Sequence, residues 1–135
     1  MDFSSLSREE LKRKEKQLKR ALEELNEKDA VIIVEGKKDR NALQRIGVRG
    51  RIELVNRSPE ELSRRMSGEK EAILLTDFDT TGEEICRRMQ ESLFSYNIKA
   101  DVDLRKKFHR ILRVRNFEKI DKQIEEFEKE IKKRW

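Results

Sequence analysis

One cysteine, one histidine and one proline stand in a chain of 135 residues, and each scarcity removes a class of function. With Cys86 alone, no internal disulfide can form and thiolate zinc sites of the multi-cysteine kind are excluded. His109 is equally solitary, which rules out a histidine-rich metal site within one chain and leaves the residue itself without an assigned role. Apolar runs such as Val31 to Val34 are far too short to cross a bilayer. Met1-Asp2-Phe3-Ser4-Ser5 has neither the basic start nor the apolar stretch of an export signal, so a cytosolic protein with no membrane partner is expected. There is no internal repeat and no low-complexity linker. A length of 135 residues therefore suggests one domain with appended helices.

Charge is what the chain has in abundance. Asp, Glu, Lys and Arg make up 45% of it, yet the net charge is only +5, so most charges must neutralise one another on solvated helix faces. A pI near 9.4 suits a polyanionic partner, although a local basic stripe matters more to a phosphate than the sum does. Abundant Glu and Lys with few glycines also fit a heat-adapted protein.

Ser7 followed by Glu10 reads as a capping box, and Leu11, Leu18, Leu22 and Leu25 recur at helical spacing to about Asn26, within an N-terminal helical region spanning 5–27. Val31 to Val34 is β-branched or aliphatic throughout with no polar alternation, as in a parallel strand covered on both faces. A helix over 38–46, with Ala42, Leu43 and Ile46 on one face, ends at Gly47, and Arg51 to Val55 reads as a second strand. Ser58-Pro59-Glu60-Glu61 starts a short helix to about Met66. Ala72 to Thr76 is a third strand, Thr80 to Glu83 opens a helix carrying Ile85, Met89 and Leu93, and a weaker strand is expected over Ile98 to Leu104. A last helix runs from about Glu118 to Trp135, its stripe of Ile120, Ile124, Phe127 and Ile131 to be buried either within the chain or against a second copy. Strands alternating with helices predict an α/β fold with an open, mostly parallel four-stranded sheet flanked by helices and long charged terminal helices.

In such sheets ligands bind beyond the carboxyl ends of the strands. Glu35 directly follows the first strand; Asp77 and, two residues on, Asp79 follow the third. Carboxylates sharing one rim repel one another unless a hard divalent cation compensates them, and an oxygen-only set suits magnesium. Gly36 and Gly82 beside the acids would let backbone approach a phosphate or take a positive φ, and Lys37 and Lys38 follow at once. An acid or base plus an aspartate pair is competent for phosphoryl transfer.

Glu35-Gly36-Lys37-Lys38-Asp39 after one strand and Asp77-Phe78-Asp79-Thr80-Thr81-Gly82 after another resemble the paired signature of the Toprim family, over roughly residues 29–104. The family is Rossmann-like and occurs in topoisomerases, bacterial primases, nucleases and small ribonucleases. The resemblance implies that Glu35 is the general acid or base, that Asp77 and Asp79 bind Mg2+, and that Gly82 is the glycine following the pair. Leu75-Thr76-Asp77-Phe78-Asp79 with Gly82-Glu83-Glu84-Ile85 looks closest to the small Toprim ribonuclease that trims precursor 5S ribosomal RNA and to short archaeal Toprim proteins, with Phe78 where that ribonuclease usually has proline. A topoisomerase needs a nucleophilic tyrosine on a separate domain, whereas Tyr96 reads as a packing residue at a helix end.

Arg105, Lys106, Lys107, Arg110, Arg113 and Arg115 fall in a window without an acid and form a candidate phosphate-backbone track, with Phe108, Ile111, Leu112 and Val114 between them as core anchors. A magnesium-dependent phosphodiester enzyme follows, an RNA-processing nuclease first, with RNA favoured over DNA as partner. The alternatives are a non-catalytic nucleic-acid-binding subunit of a processing or degradation complex, with protein partners or a homodimer through the terminal helices, and a primase-like nucleotidyl-transfer component.

Overall fold

A computed structural model describes residues 3–135; Met1 and Asp2, part of the start weighed against an export signal, lie outside the described residues. Helix α1 (Arg8–Glu27) opens with the expected capping box: Ser7 Oγ accepts from Glu10 N at 3.1 Å, and Glu10 Oε1 accepts from Ser7 N at 3.1 Å. Then follow β1 (Val31–Val34), α2 (Lys37–Arg45), β2 (Ile52–Leu54), α3 (Pro59–Arg65), β3 (Glu71–Leu74), α4 (Thr80–Ser95), β4 (Lys99–Asp101), α5 (Asp103–Leu112), a 3-10 turn (Phe117–Lys119) and α6 (Ile120–Arg134). The sheet order is β2-β1-β3-β4 and every pairing is parallel.

Both faces of the sheet are covered, which is why the central strands carry no polar alternation. Ile32, Val34, Ile73 and Leu75 enter a core shared with α1, α2, α5 and α6, where Leu11, Leu43, Phe108 and Phe127 are buried. Val31, Ile33, Ala72 and Leu74 point the other way, onto Leu62 and Met66 of α3 and Met89 and Leu93 of α4. Each such side chain contributes roughly 1.5–3 kcal/mol by leaving water.

The C-terminal stripe packs inside the chain. Ile120, Ile124 and Phe127 are buried, and Phe3 meets Phe127 edge to face with ring centroids 5.2 Å apart. Arg134 Nη1 donates to Leu6 O at 2.9 Å, while the Arg8 guanidinium lies 4.9 Å from the Trp135 ring. No helix among the described residues is long and apolar enough to cross a membrane.

Several element boundaries shift from the sequence expectation, and two details bear on the site. The fourth strand stops at Asp101 rather than reaching Leu104, because Asp101 Oδ1 accepts from Asp103 N at 2.8 Å and turns the chain into α5. The window of basic residues is therefore helical through Leu112, and Leu104, Phe108, Ile111 and Leu112 form its buried face as anchors. The second concerns α4, which opens at Thr80 as expected and takes its N-cap from Asp79, one of the candidate acids.

Beyond the end of α1, the Lys28 ammonium pairs with Asp101, the residue at the first of these turns, and with Glu71, the latter at 3.0 Å. Asp101 is 7% exposed, so removing its cation leaves a poorly solvated charge. Lys28→Met is expected to lower unfolding free energy by about 2 kcal/mol, below the range for fully buried pairs because Lys28 is partly solvated. Urea denaturation at neutral pH measures this; an unchanged midpoint would show the pair to be idle.

Candidate acidic site

The ends of β1 and β3, neighbours in the sheet, bring Glu35 and Asp77 together as adjacent strands must. Glu35 Oε2 accepts a 2.6 Å hydrogen bond from Asp77 N, joining the two motifs directly. Asp77 Oδ1 accepts from Phe117 N at 2.8 Å, at the start of the 3-10 turn. Asp79 Oδ1 accepts from Gly82 N at 2.7 Å and so caps α4. One oxygen of each carboxylate is thus held by a backbone amide, which fixes its direction without supplying a positive ion.

The electrostatics show how crowded the rim is. Asp77 is raised to about 7, first by burial, with the Phe117 amide opposing and the charges of Glu35, Asp39 and Asp79 adding to the rise. Glu35 is raised too, by burial first, against the Asp77 amide, with Asp79 and Asp39 pushing up and Arg105 pulling down. Asp39 belongs to the same field: buried, it accepts from Gly36 N at 2.9 Å, and burial lifts its pKa against that amide. Sequence reasoning quoted Asp39 without giving it a role. Its signal was legible, since an acid at the third position of a helix reaches back to the N-cap.

The donor chemistry fits a hard divalent cation: Glu35, Asp77 and Asp79 are the residues able to hold one, each through the oxygen not bound to an amide. Among the described residues no three His, Cys, Asp or Glu side chains are already grouped for ligation. A bound ion would keep water in much of its shell, as magnesium does.

Several expected site residues behave differently. Gly82 is buried, its amide is taken by Asp79, and a Cβ there would sit 2.0 Å from Asp77 O; its missing side chain serves packing of α4 on the acid loop, not phosphate approach. Gly36 is in extended backbone at φ −152° and needs no glycine-only conformation. Arg105 leaves the phosphate track altogether: it is 4% exposed, with Nε donating to Thr76 O at 2.7 Å and Nη2 to Asp77 O at 2.6 Å and Glu83 Oε1 at 2.8 Å. Lys37 and Lys38 are exposed at the start of α2 beside the rim. Tyr96 caps the far end of α4, away from the acids, and is 37% exposed rather than packed.

Lys106, Arg110 and Arg115 are exposed and Lys107 and Arg113 half-buried. The structure adds α1 to them. Lys14 Nζ donates to Arg110 O at 2.7 Å and Ile111 O at 3.2 Å, satisfying the last carbonyls of α5. A cleft of about 210 Å³ between the two helices is lined by Gln17, Arg20, Lys107 and Arg110, with Glu24 as its acid. Phe78 stacks on His109 with centroids 4.3 Å apart and 22° between planes, and His109 Nδ1 lies 2.8 Å from Val114 O. That carbonyl can only accept, so the proton sits on Nδ1 and the histidine has a structural role.

A parallel sheet ending in a glutamate on one central strand and an Asp-x-Asp turn on its neighbour defines a Toprim centre. The chain belongs to the Toprim family: the Toprim domain model matches residues 29–102, more than half of it. It is similar to small archaeal proteins of the UPF0292 group, 37% identical over 97 residues to that of Thermococcus onnurineus (strain NA1), covering 71% of this chain and 73% of the relative. The UPF0292 protein of Methanosarcina acetivorans is 37% identical over 92 residues, covering 67% and 64%. A solved structure of a protein from Aquifex aeolicus superposes with a TM-score of 0.66 at 31% identity, covering 76% of this chain and 96% of the other.

Two outcomes test the geometry. Gly82→Ala is expected to cost about 3 kcal/mol, since the Cβ can only be accommodated by moving the Asp77 backbone; a thermal melt equal to wild type would refute the close approach. Asp77 binds its proton more tightly folded than unfolded, so its stabilising contribution is present below about pH 4 and is lost as pH rises towards 7. Without divalent cations, stability should fall across that window, and Asp77→Asn should flatten the fall; parallel pH profiles for the two proteins would contradict the assignment.

Proposed function

We propose that this chain is a Mg2+-dependent nucleic-acid phosphodiester enzyme acting in RNA processing as a nuclease. The observation that carries the reading is the hydrogen bond from Asp77 N to Glu35 Oε2, which sets the Glu35 carboxylate against the aspartate pair on one rim. Burial raises the pKa of Glu35 above the usual carboxylate range, the direction that a proton-transferring acid needs. Asp77 and Asp79 would hold the cation. Mg2+, when bound there, supplies neutralisation of charge on phosphate oxygens. Lys37 and Lys38 on one side and the ridge of Lys14, Lys107, Arg110, Arg113 and Arg115 on the other would position the sugar-phosphate backbone without reading its sequence. RNA is placed before DNA on the likeness of the Asp77 motif to the small Toprim ribonuclease.

A second reading has one observation in its favour. Each acid already spends an oxygen on a backbone amide, which suits a binding subunit that does not turn over. Incubating the full chain with Mg2+ and structured RNA, single-stranded DNA and duplex DNA separates the two. Glu35→Gln and Asp79→Asn should each abolish Mg2+-dependent cleavage while leaving RNA binding nearly intact; a wild type that binds and never cuts selects the subunit. Charge reversal at Arg110 and Arg113 should weaken RNA binding and reduce the slope of log affinity against log salt by roughly one per lost phosphate contact. Unaltered affinity in that double variant would remove the ridge from the interface.

A further inference from the structure

We propose that Arg105 is the positioning residue of the acidic rim, a role that rests on the reading that the rim takes a divalent cation. Its guanidinium, buried at 4% exposure, spans two successive carbonyls of the acid loop, Thr76 O through Nε and Asp77 O through Nη2, and reaches Glu83 as well. Its Cζ also lies over the Phe78 ring, 3.9 Å from the centroid, so both the backbone and the central side chain of the Asp77-Phe78-Asp79 turn are held by one group. A guanidinium holds such acceptors along fixed directions in one plane, whereas an ammonium is a compact point charge on a flexible stem that sets no comparable geometry.

Burying a guanidinium is costly, and the acid paired with it, Glu83, is 58% exposed at its side chain and therefore a weak compensator. An apolar residue would fill the same space at lower cost. What the arginine uniquely supplies is a hold on the loop and a positive field that reaches Glu35. Two further contacts work in the same sense: Arg115 O accepts from Phe78 N at 2.8 Å, and Phe117 N donates to Asp77 Oδ1. Arg105, Arg115 and Phe117 all lie beyond residues 29–102, the part matched by the Toprim domain. The cation site is thus finished by this chain's own C-terminal segment, and Arg105 is its central clamp.

The test measures uptake of Mn2+ alone, by electron paramagnetic resonance of the free ion, in the full chain. Wild type, Arg105→Lys, Arg105→Met and Met89→Ala are compared, the last a core variant in the cluster on the other face of the sheet. Arg105→Met is expected to weaken Mn2+ binding about tenfold or more, the size of effect seen when outer partners of metal ligands are removed. Arg105→Lys should fall between it and wild type, and it carries the test alone if Arg105→Met does not fold. Met89→Ala should melt at lower temperature yet bind Mn2+ like wild type. Wild-type affinity in both arginine variants overturns the proposal. So does a loss in the arginine variants that Met89→Ala matches at equal melting temperature, since the role is then merely structural. If wild type takes up no Mn2+, and Asp77→Asn accordingly changes nothing, the cation reading itself falls and takes this proposal with it.

Discussion

Three carboxylates, Glu35 and Asp77 after buried strands and Asp39 in the first turn of α2, share one electrostatic field, and much of the surrounding structure answers the repulsion this creates. The answer is made largely of amides. Asp77 N serves Glu35, Gly36 N serves Asp39, Phe117 N serves Asp77, and Gly82 N serves Asp79 at the edge of the group. Amide dipoles orient a carboxylate but carry no net charge, so the rim stays electrically unfinished, with Arg105 as the buried cation against it. The cation proposed above would supply the missing charge.

That constraint reaches far along the chain. For Phe117 N to meet Asp77, the chain must come back across the carboxyl end of the sheet after α5, and the left-handed Arg113 at φ 57° ends that helix where the return begins. The return is anchored by Phe117, fully buried, and by Arg115 O on Phe78 N. Phe78 then ties the acid loop to α5 through His109 and Arg105. An aromatic at the middle of the Asp-x-Asp turn has its reason here: the ring is a packing partner for the C-terminal segment, and a proline would lack the amide that Arg115 O receives.

The antiparallel pair α1 and α5 settles where positive charge lies. Lys14 on the carbonyl end of α5 places it beside Arg110 and Arg113, and the two like charges, after burial, hold its pKa down. Positive charge is thereby gathered along α5, the helix whose Arg105 reaches the acidic rim. A polyanion on the ridge and a cation between polyanion and rim would relieve both.

Much of this was legible in the sequence. The unalternated runs at Val31 to Val34 and Ala72 to Leu75 predicted doubly covered parallel strands, the Ser7 and Ser58 caps predicted helix starts, and adjacent strands had to bring Glu35 near Asp77, because all of these depend on local propensity or on a regular lattice. Three matters depended on contacts between residues far apart in the chain. Arg105 read as one more cation of a basic stretch, yet its place on the helix face that meets the acid loop buries it. Gly82 read as a phosphate glycine, yet the angle at which α4 leaves the turn sets it against Asp77 O. The amide of Phe117 carried no signal at all, since every residue but proline has one. Composition and periodicity determine which elements form and which acids share an edge; which charge is buried, which glycine is steric and which amide faces a carboxylate are decided by the tertiary structure, because only packing sets the direction of a side chain or an amide.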